Sequence, residues 1–175
     1  MKISALWIVA VAVTFSHSSL AATGDDAKCA LPDHLQREVA QRYPGSHIVA
    51  ISDLGNDDKA LFAKEHGDAC PGVSRVDFYG NGQPTLAISL VSNSEKKAIL
   101  IAAHQVSDSW IVTQIDTADS AIPVVWNDNP GEYTDVYGKK KIHAARPVIV
   151  WCAYESWAIL YAWTGSRVSK IWISD

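Results

Sequence analysis

From Ser74 to the C-terminus the chain reads as a series of candidate strands whose connectors, with one exception, are too short for anything but hairpins. The strand candidates are Arg75 to Tyr79, Thr85 to Val91, Ala98 to Gln105, Trp110 to Ile115, Pro147 to Tyr154, Trp157 to Trp163 and Val168 to Ile173. Ser92 to Lys97, Ser107-Asp108, Glu155-Ser156 and Gly165-Ser166 join most of them. A parallel crossover needs a dozen or more residues, so these connectors dictate antiparallel pairing. Ahead of the strands, Leu31, Leu35, Val39 and Tyr43 recur at a spacing of four between Pro32 and Pro44-Gly45 and predict an amphipathic helix. His47 to Ile51 is a short strand candidate. Asn56 or Asp57 caps a second helix through Ala60, Leu61 and Lys64, which Gly67 ends. Two short N-terminal helices packed on an antiparallel, hairpin-rich β-sheet make an α+β domain.

Met1 to Ala21 has Lys2, an apolar run from Ile3 to Phe15, and Ser19-Leu20-Ala21, the pattern of a secretory signal peptide. Its removal from 175 residues leaves 154, expected to form one domain over 22–175 in the periplasm or secreted. One lysine leaves with it, so the net charge of −4 becomes −5, which disfavours nucleic acid and anionic membranes as partners. No other stretch approaches the roughly 18 consecutive apolar residues of a membrane span. An oxidising compartment permits disulfides. Cys29 and Cys70 lie in loop-like sequence and are the expected pair, while Cys152 sits in the apolar run Val148 to Tyr154, where a buried thiol is the ordinary fate. The rival reading of Cys152 as a nucleophile needs a base that the local sequence does not supply.

The wall of Trp157, Ile159, Tyr161 and Trp163 on one strand face is read as core, with an exposed ligand platform as the alternative. Alternation in Val168 to Ile173 is imperfect, which leaves one face there only partly buried. Asp116 to Arg146 departs from the short connectors. Its 31 residues contain Pro123, Pro130, Gly131 and Gly138, an acidic first half (Asp116, Asp119, Asp128, Glu132, Asp135) and a basic second half (Lys139, Lys140, Lys141, His143, Arg146). Trp126, Tyr133 and Tyr137 lie among these charges. A long polar segment with rigid aromatic anchors has the composition of a recognition surface. Trp126, Asp128, Glu132, Tyr133, Asp135 and Tyr137 are therefore the expected partner-binding residues, and the plainer alternative is an extra strand pair around Pro123 to Trp126 and Tyr133 to Tyr137 with ordinary solvated charges.

Asp77-Phe78-Tyr79-Gly80-Asn81-Gly82-Gln83-Pro84-Thr85 resembles the calcium loop of EF-hand and FG-GAP type. Gly82 falls where such a loop needs its sharp turn, but Tyr79, Thr85 and Ile88 occupy ligand positions, leaving Asp77, Asn81 and Gln83 as a degenerate donor set. The expectation is a structural turn organised by Asp77, with no resident metal or other cofactor. Together with Tyr43-Pro44-Gly45, Cys70-Pro71-Gly72, Pro130-Gly131-Glu132-Tyr133 and Tyr161-Ala162-Trp163-Thr164-Gly165, the loop is similar to those of small secreted bacterial proteins with a single FG-GAP-like loop. Some of these are immunity proteins against toxins delivered by type VI secretion. The resemblance implies a protein partner, a bacterial toxin or cell-wall hydrolase. No G-x-S-x-G, H-E-x-x-H, C-x-x-C or phosphate-binding glycine loop is present, so a non-enzymatic inhibitor is the leading expectation. An envelope hydrolase assembled from His104, Asp77 and Cys152 and a small-ligand or glycan binder are the alternatives.

Overall fold

The computed structural model describes residues 28–92, 94 and 96–174. The expected signal peptide, Met1 to Ala21, and residues 22–27 of the expected domain lie outside the described residues. Among the described residues the order is α1 (Asp33–Arg42), β1 (Ser46–Ile48), a 3-10 turn (Ile51–Asp53), α2 (Asn56–His66), β2 (Val73–Val76), β3 (Thr85–Ser92), β4 (Lys97–Val106), β5 (Ser109–Asp119), β6 (Val124–Asp128), β7 (Gly131–Thr134), β8 (Lys141–Ala144), β9 (Val148–Ala153), β10 (Trp157–Trp163) and β11 (Val168–Ser174). All strand pairs are antiparallel. No helix among the described residues is long and apolar enough to cross a membrane.

The α+β class with antiparallel strands holds, but the strands do not form one sheet. β1 and β2 share one edge of β3, followed by β4 and β5, in a five-stranded sheet; β11, β10, β9 and β6 form a four-stranded one; β7 and β8 pair as a separate ribbon. Strand periodicity explains the layers. On β3 and β4 one set of alternating residues, Leu86, Ile88, Leu90, Ile99, Ile101 and Ala103, packs beneath Leu31, Leu35 and Val39 at α1. The other set, Ala87, Val91, Ala98 and Leu100, meets Val124, Val125, Ile149, Trp151, Ile159 and Tyr161 of the second sheet, with Phe62 of α2 at its margin. Val148, Val150, Leu160, Ala162 and Ile171 on the far face of the second sheet lie under Ile142 and Ala144 of the ribbon. Both β3 and β9 are therefore buried along their whole length.

Each helix follows its local chemistry. Leu35 and Val39 are the buried positions of α1, and Glu38 and Arg42 pair one turn apart at 2.7 Å. In α2, Asp57 and Asp58 occupy the first turn and Gly67, at φ 65°, ends the helix in the left-handed region. Only Phe62 of α2 is buried, so this helix closes one margin of the sandwich and does not lie across a sheet face. Cys29 and Cys70 form the expected disulfide, with Cα atoms 5.2 Å apart and a sequence separation of 41. A loop of that length corresponds to about 4 kcal/mol in the chain-entropy account of disulfide stabilisation. Cys152 is free and buried.

Asp116 to Arg146, expected as an irregular surface, is largely β. β5 runs on to Asp119 past a register shift opposite Leu100 and Ile101, and β6, β7 and β8 follow. The plainer alternative holds for β6, but it meets β7 only at Tyr133 and Thr134, omits β8 and has the wrong partners: β6 pairs with β9, and β7 with β8. Two strand expectations are also shortened, since β1 stops at Ile48 and β2 at Val76, where Asp77 opens a turn.

Candidate functional site

The β7–β8 ribbon alternates as a half-buried antiparallel pair should. Tyr133, Ile142 and Ala144 face inward over the second sheet, whereas Glu132, Thr134, Lys141 and His143 are exposed. Glu132 and His143 are directly opposed, with Oε1 and Nδ1 2.5 Å apart. The Tyr133 hydroxyl donates to the Asn129 carbonyl and so ties the start of the ribbon to the preceding turn.

At the tip, Oδ1 of Asp135 accepts the amides of Lys139 at 2.7 Å and Lys140 at 3.0 Å. The Gly138 amide donates to the Asp135 carbonyl at 2.9 Å, with Gly138 at φ 70°, and this closes the turn. Among the described residues, two bonds fasten the tip to β11. Val136 N donates to the Trp172 carbonyl at 2.8 Å, and Lys140 Nζ donates to the Lys170 carbonyl at 2.6 Å. These bonds satisfy outward carbonyls of an edge strand, a place where proteins must prevent uncontrolled pairing. They also hold Val136, Tyr137 and Trp172 in one region, at exposures of 43%, 63% and 41%.

Four of the six expected partner-binding residues, Glu132, Tyr133, Asp135 and Tyr137, come together on the ribbon. Their roles differ. Asp135 shapes the tip, Tyr133 and the Glu132–His143 pair brace the ribbon, and Tyr137 is the exposed aromatic ring. Asp128, the last residue of β6, accepts the Asn129 amide at 2.7 Å. Trp126 is half-buried against the cores on both faces of the second sheet, its ring centroid 4.8 Å from that of His66. With Phe62, His66, Ser74, Arg75 and Asn127 it lines a groove of about 290 Å³ away from the tip. Val136 and Trp172 belong to the exposed patch and are absent from the sequence-based set. The imperfect alternation of the last strand was the signal for Trp172.

The triad of the enzyme alternative is not assembled. Both carboxylate oxygens of Asp77 accept backbone amides, from Asn81 at 3.1 Å and Gly82 at 3.2 Å. Cys152 is paired with Ala158, whereas His104 packs on Tyr79, which in turn meets Trp163, five residues along β10 from Ala158. That separation is about 16 Å at the rise of a strand. Burial, with the charges of Glu65 and Asp58, pushes the Cys152 thiol up to about 12, so it is not a thiolate near neutral pH. Burial also lowers the His104 pKa below its ordinary value.

The Asp77 loop has the expected structural form. Gly80 and Gly82 take φ of 64° and 74°, and Asn81 Oδ1 accepts the Gln83 amide at 3.0 Å. The Arg146 side chain fills the space beside Gly80, and its guanidinium donates to the Tyr79 carbonyl. A single carboxylate already bound by two amides, in a loop whose Tyr79 carbonyl is taken by a guanidinium, is a poor donor set for a divalent cation. Among the described residues no group of three or more His, Cys, Asp or Glu side chains is placed to hold a metal.

No family model, curated protein or solved structure matches this chain.

Proposed function

We propose that the chain is a periplasmic or secreted, non-enzymatic binding protein, an immunity protein or inhibitor that occludes the active site of a cell-envelope toxin or hydrolase. The observation that carries this reading is the tip of the β7–β8 ribbon, where Val136, Tyr137 and Trp172 are held exposed by backbone bonds to β11. A preformed aromatic anchor binds with little loss of conformational freedom, which favours tight association from a small area. The mechanism is steric: the tip enters a cleft and Tyr137 fills it, while the sandwich behind it blocks substrate. The exported-protein pattern of the sequence and the similarity to small secreted bacterial proteins support the compartment and the class of partner.

The experiment is an inhibition panel. Purified muramidases, peptidoglycan amidases and endopeptidases are assayed on peptidoglycan with and without the full chain, its disulfide intact. Inhibition of at least one class at stoichiometric amounts is expected, and no effect on any of them would overturn the inhibitor reading. The Trp157 to Trp163 face packs on the core, so the small-ligand or glycan-binding alternative would have to use the groove at Trp126 instead. At about 290 Å³ it lies at the lower bound for a small-molecule site. It is the weaker reading.

A further inference from the structure

We infer that the ribbon tip is built for an acidic partner, so that what it enters is a cleft lined with carboxylates. The inference rests on the binding reading above and reverses the charge polarity expected from sequence, in which Asp128, Glu132 and Asp135 meet a basic rim. Each of these acids has a partner inside the protein. Asp128 accepts the Asn129 amide, Glu132 pairs with His143, and Asp135 accepts the Lys139 and Lys140 amides. The lysines are disposed differently. Lys139, Lys140 and Lys141 are exposed, and among the described residues no carboxylate pairs with any of them. The turn thus carries three exposed lysines and one aspartate whose carboxylate accepts two backbone amides; of the three ammonium groups, that of Lys140 also donates to the Lys170 carbonyl.

The adjoining edge strand adds a cation that is ion-paired. Lys170 Nζ lies 5.3 Å from the centroid of the Trp172 ring while also pairing with Asp116. The positive charge beside the apolar centre of Val136, Tyr137 and Trp172 therefore comes from Lys139, Lys140 and Lys141, on a protein whose net charge is −4. Opposite signs on tip and body orient approach to an anionic target tip first. The same body charge favours a protein cleft over an anionic bilayer. A cleft engages the tip alone, whereas a planar bilayer brings the acidic body within a screening length of about 8 Å of the surface. Paired carboxylates are the working groups of glycoside hydrolases, so the chemistry fits an enzyme of that kind.

The test uses the full, disulfide-intact chain and poly-L-glutamate as the carboxylate probe, with phosphatidylglycerol vesicles as a second arm. Expected is binding to poly-L-glutamate that weakens as salt rises. It should fall about tenfold or more in Lys139→Glu/Lys141→Glu, with the melting temperature unchanged. If charge reversal disturbs folding, Lys139→Gln/Lys141→Gln provides the same comparison. Equal binding by wild type and variant, no binding by wild type, or lysine-dependent binding to the vesicles alone would each overturn the inference. Because the probe is not an enzyme, this result stands apart from the inhibition panel: failure there removes the inhibitor reading, and failure here removes the acidic partner.

Discussion

The hydroxyl of Ser89 accepts from Trp151 Nε1 at 2.8 Å and donates to the Pro123 carbonyl at 2.6 Å, so one buried side chain joins both sheets and the chain crossing between them. Ser89→Ala leaves an indole N–H and a carbonyl without that partner in the core, which costs about 2–4 kcal/mol. Urea denaturation should show the loss with an unchanged m-value; a loss below about 1 kcal/mol would mean that the two groups find other partners. Asp116 makes a second link. It accepts from the Tyr161 hydroxyl at 2.6 Å and pairs with Lys170, connecting β5 to β10 and β11. Burial works against ionisation there, but hydrogen bonds from Lys170, Tyr161 and the Thr117 amide, with the charge of Lys170, outweigh it and hold the pKa below the ordinary aspartate value. A lowered folded-state pKa adds stability above the unfolded value of about 3.9 and loses it as pH falls through the folded value. Asp116→Asn should therefore be less stable by about 1 kcal/mol at pH 6, a figure kept small because solvent reaches Lys170. The gap in urea midpoints should close below about pH 4; a gap that persists at pH 2 would contradict this linkage.

At the scale of elements, spacing in the sequence was enough to locate both helices and the strands that fill the cores. Leu31, Leu35 and Val39 occupy the expected face, and Trp157, Ile159, Tyr161 and Trp163 all pack into the core between the sheets. The division into two sheets was not legible. A strand covered on both faces reads as a continuous apolar run whichever layer it joins, so β3 and β9 carry no mark of their separate sheets. Nor were β7 and β8, each of four residues with only one face covered, distinguishable from polar loop. Tyr137 was legible as an anchor because it is aromatic among charges. The pairing of Val136 with Trp172 was not, because it depends on a contact between distant segments. Gly72 shows the same dependence on tertiary structure. A Cβ there would lie 2.6 Å from Ile48 Cγ2 and 2.7 Å from Val49 N and would also strike the Val49 carbonyl, where β1 passes close by. Gly72→Ala should cost about 2–4 kcal/mol, because backbone on the facing side must move. A thermal melt checks it, and an unchanged melting temperature would show that β1 shifts freely.

Taken as a whole, the molecule is a stack of α1, one sheet, a second sheet and the ribbon, with an apolar core at each of three contacts. The ribbon has two faces with two tasks. Ile142, Ala144 and Tyr133 cover the second sheet, and that packing allows the tip to be rigid and exposed at once. Trp126, the most prominent aromatic of the sequence-based set, belongs to the support, whereas Tyr137 and Val136 belong to the surface. The central claim is that the tip is the contact surface, and it separates binding from stability. The decisive measurement is the inhibition constant of Val136→Ser/Tyr137→Ala against an envelope hydrolase that the wild-type chain inhibits, taken together with the melting temperature. The account predicts a constant raised about tenfold or more at a melting temperature within about 2 °C of wild type. Undiminished inhibition by that variant, or no hydrolase inhibited by the wild-type chain, would contradict it.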